Sequence, residues 1–115
     1  MPNPVVHFEI LGQNAERSQK FYSDLFGWHI DADNPMNYGL VDTHAEGING
    51  GVGPSDGGPG RVTIYVQVDD LQVYLDRAEG LGAKTVVPPT EIPGMVTFAT
   101  FSDVDGNVVG LVKEM

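Results

Sequence analysis

The sequence predicts an α+β fold in which two βαβββ modules form a curved mixed sheet, with a helix on the outer face of each half. Strand-like alternation of apolar and polar side chains opens both halves, at residues 5–10 and 61–68. Helix-start residues follow each of these runs, and the two, Asn14 and Asp70, lie 56 positions apart. The matched spacing indicates an internal repeat.

The first module begins with the strand at residues 5–10, which stops at Gly12. Asn14 can cap a helix that Gly27 ends. Residues at three-and-four spacing give this helix an apolar stripe: Phe21, Tyr22, Leu25 and Phe26. Three short strands are predicted after it, at residues 28–30, 38–42 and 47–52, with a turn at Asn34-Pro35.

The second module repeats this order after a Gly/Pro-rich linker at residues 54–60. Its first strand covers residues 61–68, and Asp69 or Asp70 then caps a helix that ends at Gly82. The predicted buried stripe of this helix is Leu71, Leu75, Ala78 and Leu81. Strands follow at residues 84–87, 96–101 and 108–112. We therefore expect a single domain with modules at about 1–53 and 61–115.

Alternation along the first strand of each module assigns a polar inner face. His7 and Glu9 point to one side of their strand, away from the helix layer, because successive side chains alternate between faces. Thr63, Tyr65 and Gln67 occupy the matching face of the second module. If the sheet curves inward, these five residues line a small-molecule cavity.

Composition narrows the classes of function and partner. The formal net charge is −10, with a sequence pI near 4.3, which disfavours nucleic acid and anionic membrane partners. The sequence contains no cysteine, so disulfides, thiolate metal sites and cysteine nucleophiles are excluded. The first residues carry no basic and apolar leader pattern, so a soluble cytoplasmic protein is expected.

Several stretches together resemble the vicinal oxygen chelate superfamily, the group of glyoxalase I, bleomycin-resistance proteins and extradiol dioxygenases. They are VVHFEI, FYSDLFGW, Tyr38 with GINGGVG, YVQVDDL, AEGLGAK, the Val87-Pro88-Pro89 and Ile92-Pro93-Gly94 segments, and FSDVDGNVVGLV. The resemblance covers nearly the whole chain and is strongest to bacterial glyoxalase-like single modules. It implies a small-molecule site, and a homodimer as the oligomeric state.

The resemblance also implies four metal-ligand positions, one on the first and one on the last strand of each module. Here they are occupied by His7, Gly50 or a neighbour, Thr63 and Gly110. Only His7 can ligate a divalent ion, whereas an open catalytic site needs about three protein ligands. We therefore expect no metal and no other cofactor. The alternative is an atypical set in which Glu9 and either His44 or Glu46 join His7.

Two functions remain open on this evidence. The first is a metal-independent module that binds a small organic compound, as the likeness to bleomycin-resistance proteins implies. The second is an enzyme of lyase, isomerase or dioxygenase type, in which His7 is an acid/base or an atypical metal ligand and Glu9 fixes its tautomer. The glycine runs GINGGVG and GPSDGGPG show no phosphate-loop pattern and are interpreted as flexible.

Overall fold

The computed structural model describes residues 2–43 and 46–113. Along the chain its elements are β1 (Val5–Gly12), α1 (Ala15–Phe26), β2 (His29–Asp31), β3 (Gly39–Asp42), β4 (Gly50–Pro54), β5 (Arg61–Val68), α2 (Leu71–Gly80), β6 (Lys84–Ile92), β7 (Val96–Ser102) and β8 (Val108–Lys113). The α+β class and the twofold βαβββ order are confirmed. Neither helix of the described residues has the length and apolar character needed to cross a bilayer.

The chain divides into two compact units, His7–Thr63 and Met1–Val6 with Ile64–Met115, which we call the amino-terminal and carboxy-terminal units. In the amino-terminal unit the strand order is β2-β3-β4-β1, and β1 pairs with β4 in parallel. In the carboxy-terminal unit the order is β5-β8-β7-β6, and β5 pairs with β8 in parallel. The other neighbouring strands within each unit pair antiparallel, so both kinds of pairing occur in each unit. The predicted single domain with modules at 1–53 and 61–115 stays a prediction.

Helix α1 begins and ends at the predicted residues. The Asn14 side chain accepts a hydrogen bond from the Arg17 N–H at 3.0 Å, and Gly27 ends the helix in the left-handed region at φ 72°. Part of its apolar stripe, however, faces solvent: Phe21, Leu25 and Phe26 are more than half exposed. The spacing of apolar residues marks a helix correctly, but contacts with the sheet decide which side is covered.

Helix α2 is capped by Asp70, whose carboxylate accepts from the Val73 N–H at 3.1 Å. Leu71 and Leu75 are buried as predicted. The prediction for Leu81 is wrong, because the helix stops at Gly80 and leaves that side chain 81% exposed beyond the last turn. Gly82 follows at φ 106°, so the left-handed turn comes two residues after the helix end.

The core of the carboxy-terminal unit lies between α2 and one face of its sheet. It consists of Val68, Leu71, Leu75, Ala99 and Leu111, with Val66, Tyr74 and Phe101 packed against it. Full burial of one such aliphatic side chain stabilises by about 1.5–3 kcal/mol. This face is opposite to the one that carries Tyr65 and Gln67, because those residues alternate with Val66 and Val68.

Strand β6 is longer than predicted, reaching Ile92 rather than residue 87. Pro88 and Pro89 lie inside it, beyond the predicted end of the strand. The strand tolerates them because it is at the end of the order β5-β8-β7-β6, so its prolines need not donate to a second neighbour. The pairing with β7 is irregular between Thr85 and Thr90.

Candidate functional site

Strand register places five polar side chains and Leu40 on one face of the amino-terminal sheet. Glu9 on β1 lies opposite Gly51, and Gly51 lies opposite Leu40 on β3. His29 on β2 lies opposite Asp42. Because directly paired residues share a face, the following residues lie on one side of the sheet: His7, Glu9, Asp31, His29, Leu40 and Asp42. Only His7 and Glu9 were predicted from the sequence.

Tyr38 links the two predicted residues. Its hydroxyl donates to Glu9 Oε2 at 3.0 Å, and the same hydroxyl oxygen lies 2.9 Å from His7 Nε2. A phenol has one proton and an ionised carboxylate can only accept. When the Tyr38 proton is directed to Glu9, His7 must therefore donate its Nε2–H to the phenol oxygen. The chain His7 to Tyr38 to Glu9 thus selects the Nε2–H tautomer and leaves Nδ1 as the basic nitrogen.

Burial favours the neutral form of this histidine. Desolvation lowers the pKa of His7 below its ordinary value, and the charge of Glu9 opposes the shift with a smaller effect. The net direction is downward, so His7 is neutral at pH 7. A neutral imidazole can accept a proton, which keeps both binding and acid/base roles chemically open.

The glycines of β4 make room for Tyr38. A Cβ atom at Gly51 would lie 2.0 Å from Tyr38 Cζ, and one at Gly53 would lie 2.8 Å from Tyr38 Cδ1. The tyrosine ring therefore covers these two positions directly. Interpreting the GINGGVG run as merely flexible was wrong, since two of its glycines permit a close approach. Gly50 contacts the Phe8 ring, which places Gly51 rather than Gly50 on the His7 face.

The turn before β3 fixes the backbone of Tyr38. The Asn34 side-chain oxygen accepts from the Tyr38 N–H at 3.0 Å, and its amide nitrogen donates to the Tyr38 carbonyl at 2.7 Å. Asn37 adopts a positive φ of 51° within the same turn, a conformation that asparagine tolerates. The predicted turn at Asn34-Pro35 is confirmed. Its consequence for the site was not visible in the sequence.

An open pocket of about 370 Å³ adjoins His7 in the amino-terminal unit. Its walls are formed by His7, His29, Asp31, Leu40, Val41, Asp42, Asn49 and Gly50. The predicted strands at residues 28–30 and 38–42 contain His29 and Asp42, but neither these residues nor Asp31 were assigned to the site from the sequence. The alternating polar residues of the His-Ile-Asp strand were the available signal. Without the register there was no way to relate them to His7.

The second module arranges its predicted residues differently. The Tyr65 ring covers Gly110, where a Cβ atom would lie 2.2 Å from the ring, and it packs edge-on against Phe98. Tyr65 is buried and Gln67 is partly buried, both in the carboxy-terminal unit, while Thr63 is buried in the amino-terminal unit. Ligand-binding roles for these three residues stay predictions.

The donor set does not fit the metal site that the resemblance implies. Gly51 and Gly110 provide no side-chain ligand, and a tyrosine ring covers each of them. Across residues 2–43 and 46–113, no three His, Asp or Glu side chains are grouped so that they could hold an ion. Of the alternative ligands, Glu46 is exposed, and His44 lies outside the described residues. The Glu9 carboxylate is engaged by Tyr38.

Comparison with known proteins gives concordant results. The family model described as Glyoxalase/Bleomycin resistance protein/Dioxygenase superfamily matches residues 5–111. A glyoxylase-like domain-containing protein of Didymella fabae is 29% identical over 110 residues, which cover 86% of this chain and 84% of that protein. CFP32 of Mycobacterium bovis, a candidate glyoxylase by name, is 28% identical over 92% of this chain, but the match spans only 43% of CFP32.

A solved structure supports the fold independently of sequence. Methylmalonyl-CoA epimerase from Mycobacterium tuberculosis superposes with a TM-score of 0.69, covering 96% of this chain and 87% of the epimerase. The two sequences are only 14% identical. This likeness concerns the backbone architecture alone, because side chains that determine chemistry can differ completely on a shared fold.

Proposed function

This chain belongs to the glyoxalase/bleomycin resistance protein/dioxygenase superfamily, and from that premise we propose that it binds a small organic molecule in the His7 pocket without a metal ion. The ligand would be held by a few polar groups set among apolar walls, as in most small-molecule sites. The volume of about 370 Å³ is within the range of such pockets.

The observation that carries this proposal is the position of the Tyr38 ring. The ring covers Gly51, the position on the His7 face where the last strand of the module could have carried a ligand. Its hydroxyl also engages His7 Nε2 at 2.9 Å and Glu9 at 3.0 Å. Groups that could have coordinated an ion are instead joined in a hydrogen-bonded chain.

Metal analysis tests the proposal. The protein is purified without a metal-affinity tag, its metal content is measured, and the metal-free form is titrated with Zn²⁺, Ni²⁺ and Mn²⁺ while the melting temperature is followed. We expect substoichiometric metal and no saturable rise in melting temperature. Stoichiometric binding that disappears in His7→Gln but persists in His29→Gln would contradict the proposal.

A second candidate function is metal-independent proton transfer by His7, favoured by the tautomer that Tyr38 and Glu9 select. A neutral imidazole with an unprotonated Nδ1 can act as a base toward an acidic C–H bond. Glu9 would stabilise the imidazolium through Tyr38. Glu9 and Tyr38 would therefore act as positioning residues. His7 would be the catalytic residue.

Deuterium exchange tests this second candidate. Hydroxyacetone carries C–H bonds made acidic by a neighbouring carbonyl, and their exchange in D₂O can be followed by proton NMR. Catalysis predicts a rate above buffer that is lost in His7→Gln and reduced in Tyr38→Phe. Equal rates with wild-type protein, His7→Gln and buffer would argue against it for this substrate class.

The homodimer stays a prediction that sedimentation can check.

A further inference from the structure

We infer that the His7 pocket binds small cations more tightly than uncharged molecules, and uncharged molecules more tightly than anions. Its natural ligand is therefore not a carboxylate or phosphate. This inference rests on the proposed function, because it concerns the ligand class of the same pocket. It is drawn from the charges of the groups in and behind the pocket wall.

Two carboxylates line the pocket. Asp31 and Asp42 both contribute to the wall, and among its described lining residues none is Lys or Arg. The Asp31 carboxylate is oriented by the Asp33 N–H, which donates to it at 2.9 Å. An anionic ligand would therefore enter beside two negative charges, and no Lys or Arg in the described part of the wall could bind it.

Neither histidine among the described residues of the wall reverses this balance. Burial lowers the pKa of His7, so that side chain is neutral at pH 7. Glu9 places a further negative charge behind it, through the Tyr38 hydroxyl at 3.0 Å. His29 lies opposite Asp42 on the neighbouring strand, so even its protonated form would offset only one carboxylate.

The polar groups of the wall also favour ligands that donate hydrogen bonds. Ionised Asp31 and Asp42 side chains can only accept hydrogen bonds. A ligand with N–H or O–H groups matches these acceptors, whereas a carboxylate or phosphate duplicates them. The net charge of −10 for the whole chain adds a long-range attraction for cations.

A matched series of three probes tests the inference. Benzylammonium, benzyl alcohol and benzoate share a ring and differ chiefly in charge, so apolar burial is nearly constant across them. Each is titrated into ¹⁵N-labelled protein at pH 7.5 and low salt, and the backbone amide shifts of Val41, Asn49 and Gly50 are followed. We expect benzylammonium to bind at least tenfold more tightly than benzoate, with benzyl alcohol between them.

Charge-neutral variants separate the pocket from the general acidity of the chain. Asp31→Asn with Asp42→Asn should remove most of the cation preference, since asparagine keeps an oxygen that can accept from the Asp33 N–H. Asp56→Asn with Asp105→Asn changes the net charge equally at residues that do not line the pocket, and should leave most of the preference intact.

Three outcomes would overturn the inference. If benzoate binds as tightly as benzylammonium, the charge order is wrong while the binding function stands. If the control pair abolishes the preference as fully as the pocket pair, the preference belongs to the whole surface. If none of the three probes shifts the pocket amides, both the inference and the proposed binding site fail.

Discussion

Gly51→Ala tests whether a glycine at position 51 of β4 is needed to accommodate the Tyr38 ring. The added Cβ would lie 2.0 Å from both the Tyr38 Cζ and hydroxyl oxygen atoms. Ordinary contact begins near 3.4 Å, so the ring must move by about 1.4 Å. A displacement of that size exceeds what the hydrogen bonds to His7 and Glu9 tolerate.

The expected cost follows from two terms. Forcing an extra methyl group into a packed site costs about 1–3 kcal/mol. Losing the charge-assisted hydrogen bond between Tyr38 and Glu9 costs about 1.5 kcal/mol more. We therefore expect Gly51→Ala to reduce the free energy of unfolding by about 3 kcal/mol.

A double-mutant cycle isolates the contact between Gly51 and Tyr38. In a Tyr38→Ala background the clash is absent, so the second substitution should cost less than about 0.5 kcal/mol. Gly47→Ala is the control, because a Cβ atom there has no neighbour within 4 Å among the described residues. Urea unfolding followed by the fluorescence of Trp28, the one tryptophan, gives all four free energies. Equal costs of Gly51→Ala in both backgrounds would show that the methyl group does not clash with the Tyr38 ring.

Four further predictions follow. The pKa of His7 is lower in the folded state than its ordinary value of 6.5, so at acidic pH the unfolded chain binds more protons than the folded protein. The free energy of unfolding of wild type relative to His7→Gln should therefore fall as the pH drops below 6.5, and a difference that does not vary with pH would contradict this. Gly110→Ala should cost about 1–3 kcal/mol because its Cβ would meet the Tyr65 ring at 2.2 Å, and a neutral result in urea unfolding would show that the ring is loosely held. Thr100→Val should stabilise by about 1 kcal/mol, since its buried hydroxyl has no hydrogen-bond partner within residues 2–43 and 46–113; a lower melting temperature would indicate a partner for that hydroxyl. Tyr38→Phe should remove the selected tautomer of His7, seen in the ¹⁵N shifts of its ring, and unchanged shifts would argue against the hydrogen-bonded chain.

Local signals were enough to predict the order of elements. Asn14 and Asp70 cap their helices by accepting a hydrogen bond three residues ahead, and Gly27 ends α1 in the left-handed region. These interactions lie within a few positions of each other, so short sequence patterns encode them. The repeat of those patterns then indicated two modules.

Tertiary effects were not predictable in the same way. The apolar spacing of α1 did not reveal that Phe21 and Leu25 face solvent, because the side of the helix that meets the sheet depends on packing. The strand at residues 84–87 was predicted to stop before Pro88, and an end strand that tolerates prolines cannot be recognised without the strand order.

The candidate site was predictable only in part. Alternation on β1 placed His7 and Glu9 on the same face, which the structure shows. Tyr38, which joins them, lies 31 positions from His7 along the chain. Its approach depends on the register of β1, β3 and β4 and on glycines at 51 and 53, and no local pattern reports such a long-range contact.

The proposed function depends above all on the contact between His7 and Tyr38 in a pocket that we propose holds no metal. Histidine-ring ¹H–¹⁵N correlation spectra of the metal-free protein at pH 7.5, recorded before and after one equivalent of Zn²⁺, test it most directly. We predict a neutral His7 with its proton on Nε2, whose ring shifts do not change when zinc is added. A His7 that carries its proton on Nδ1 and changes stoichiometrically with zinc would contradict it.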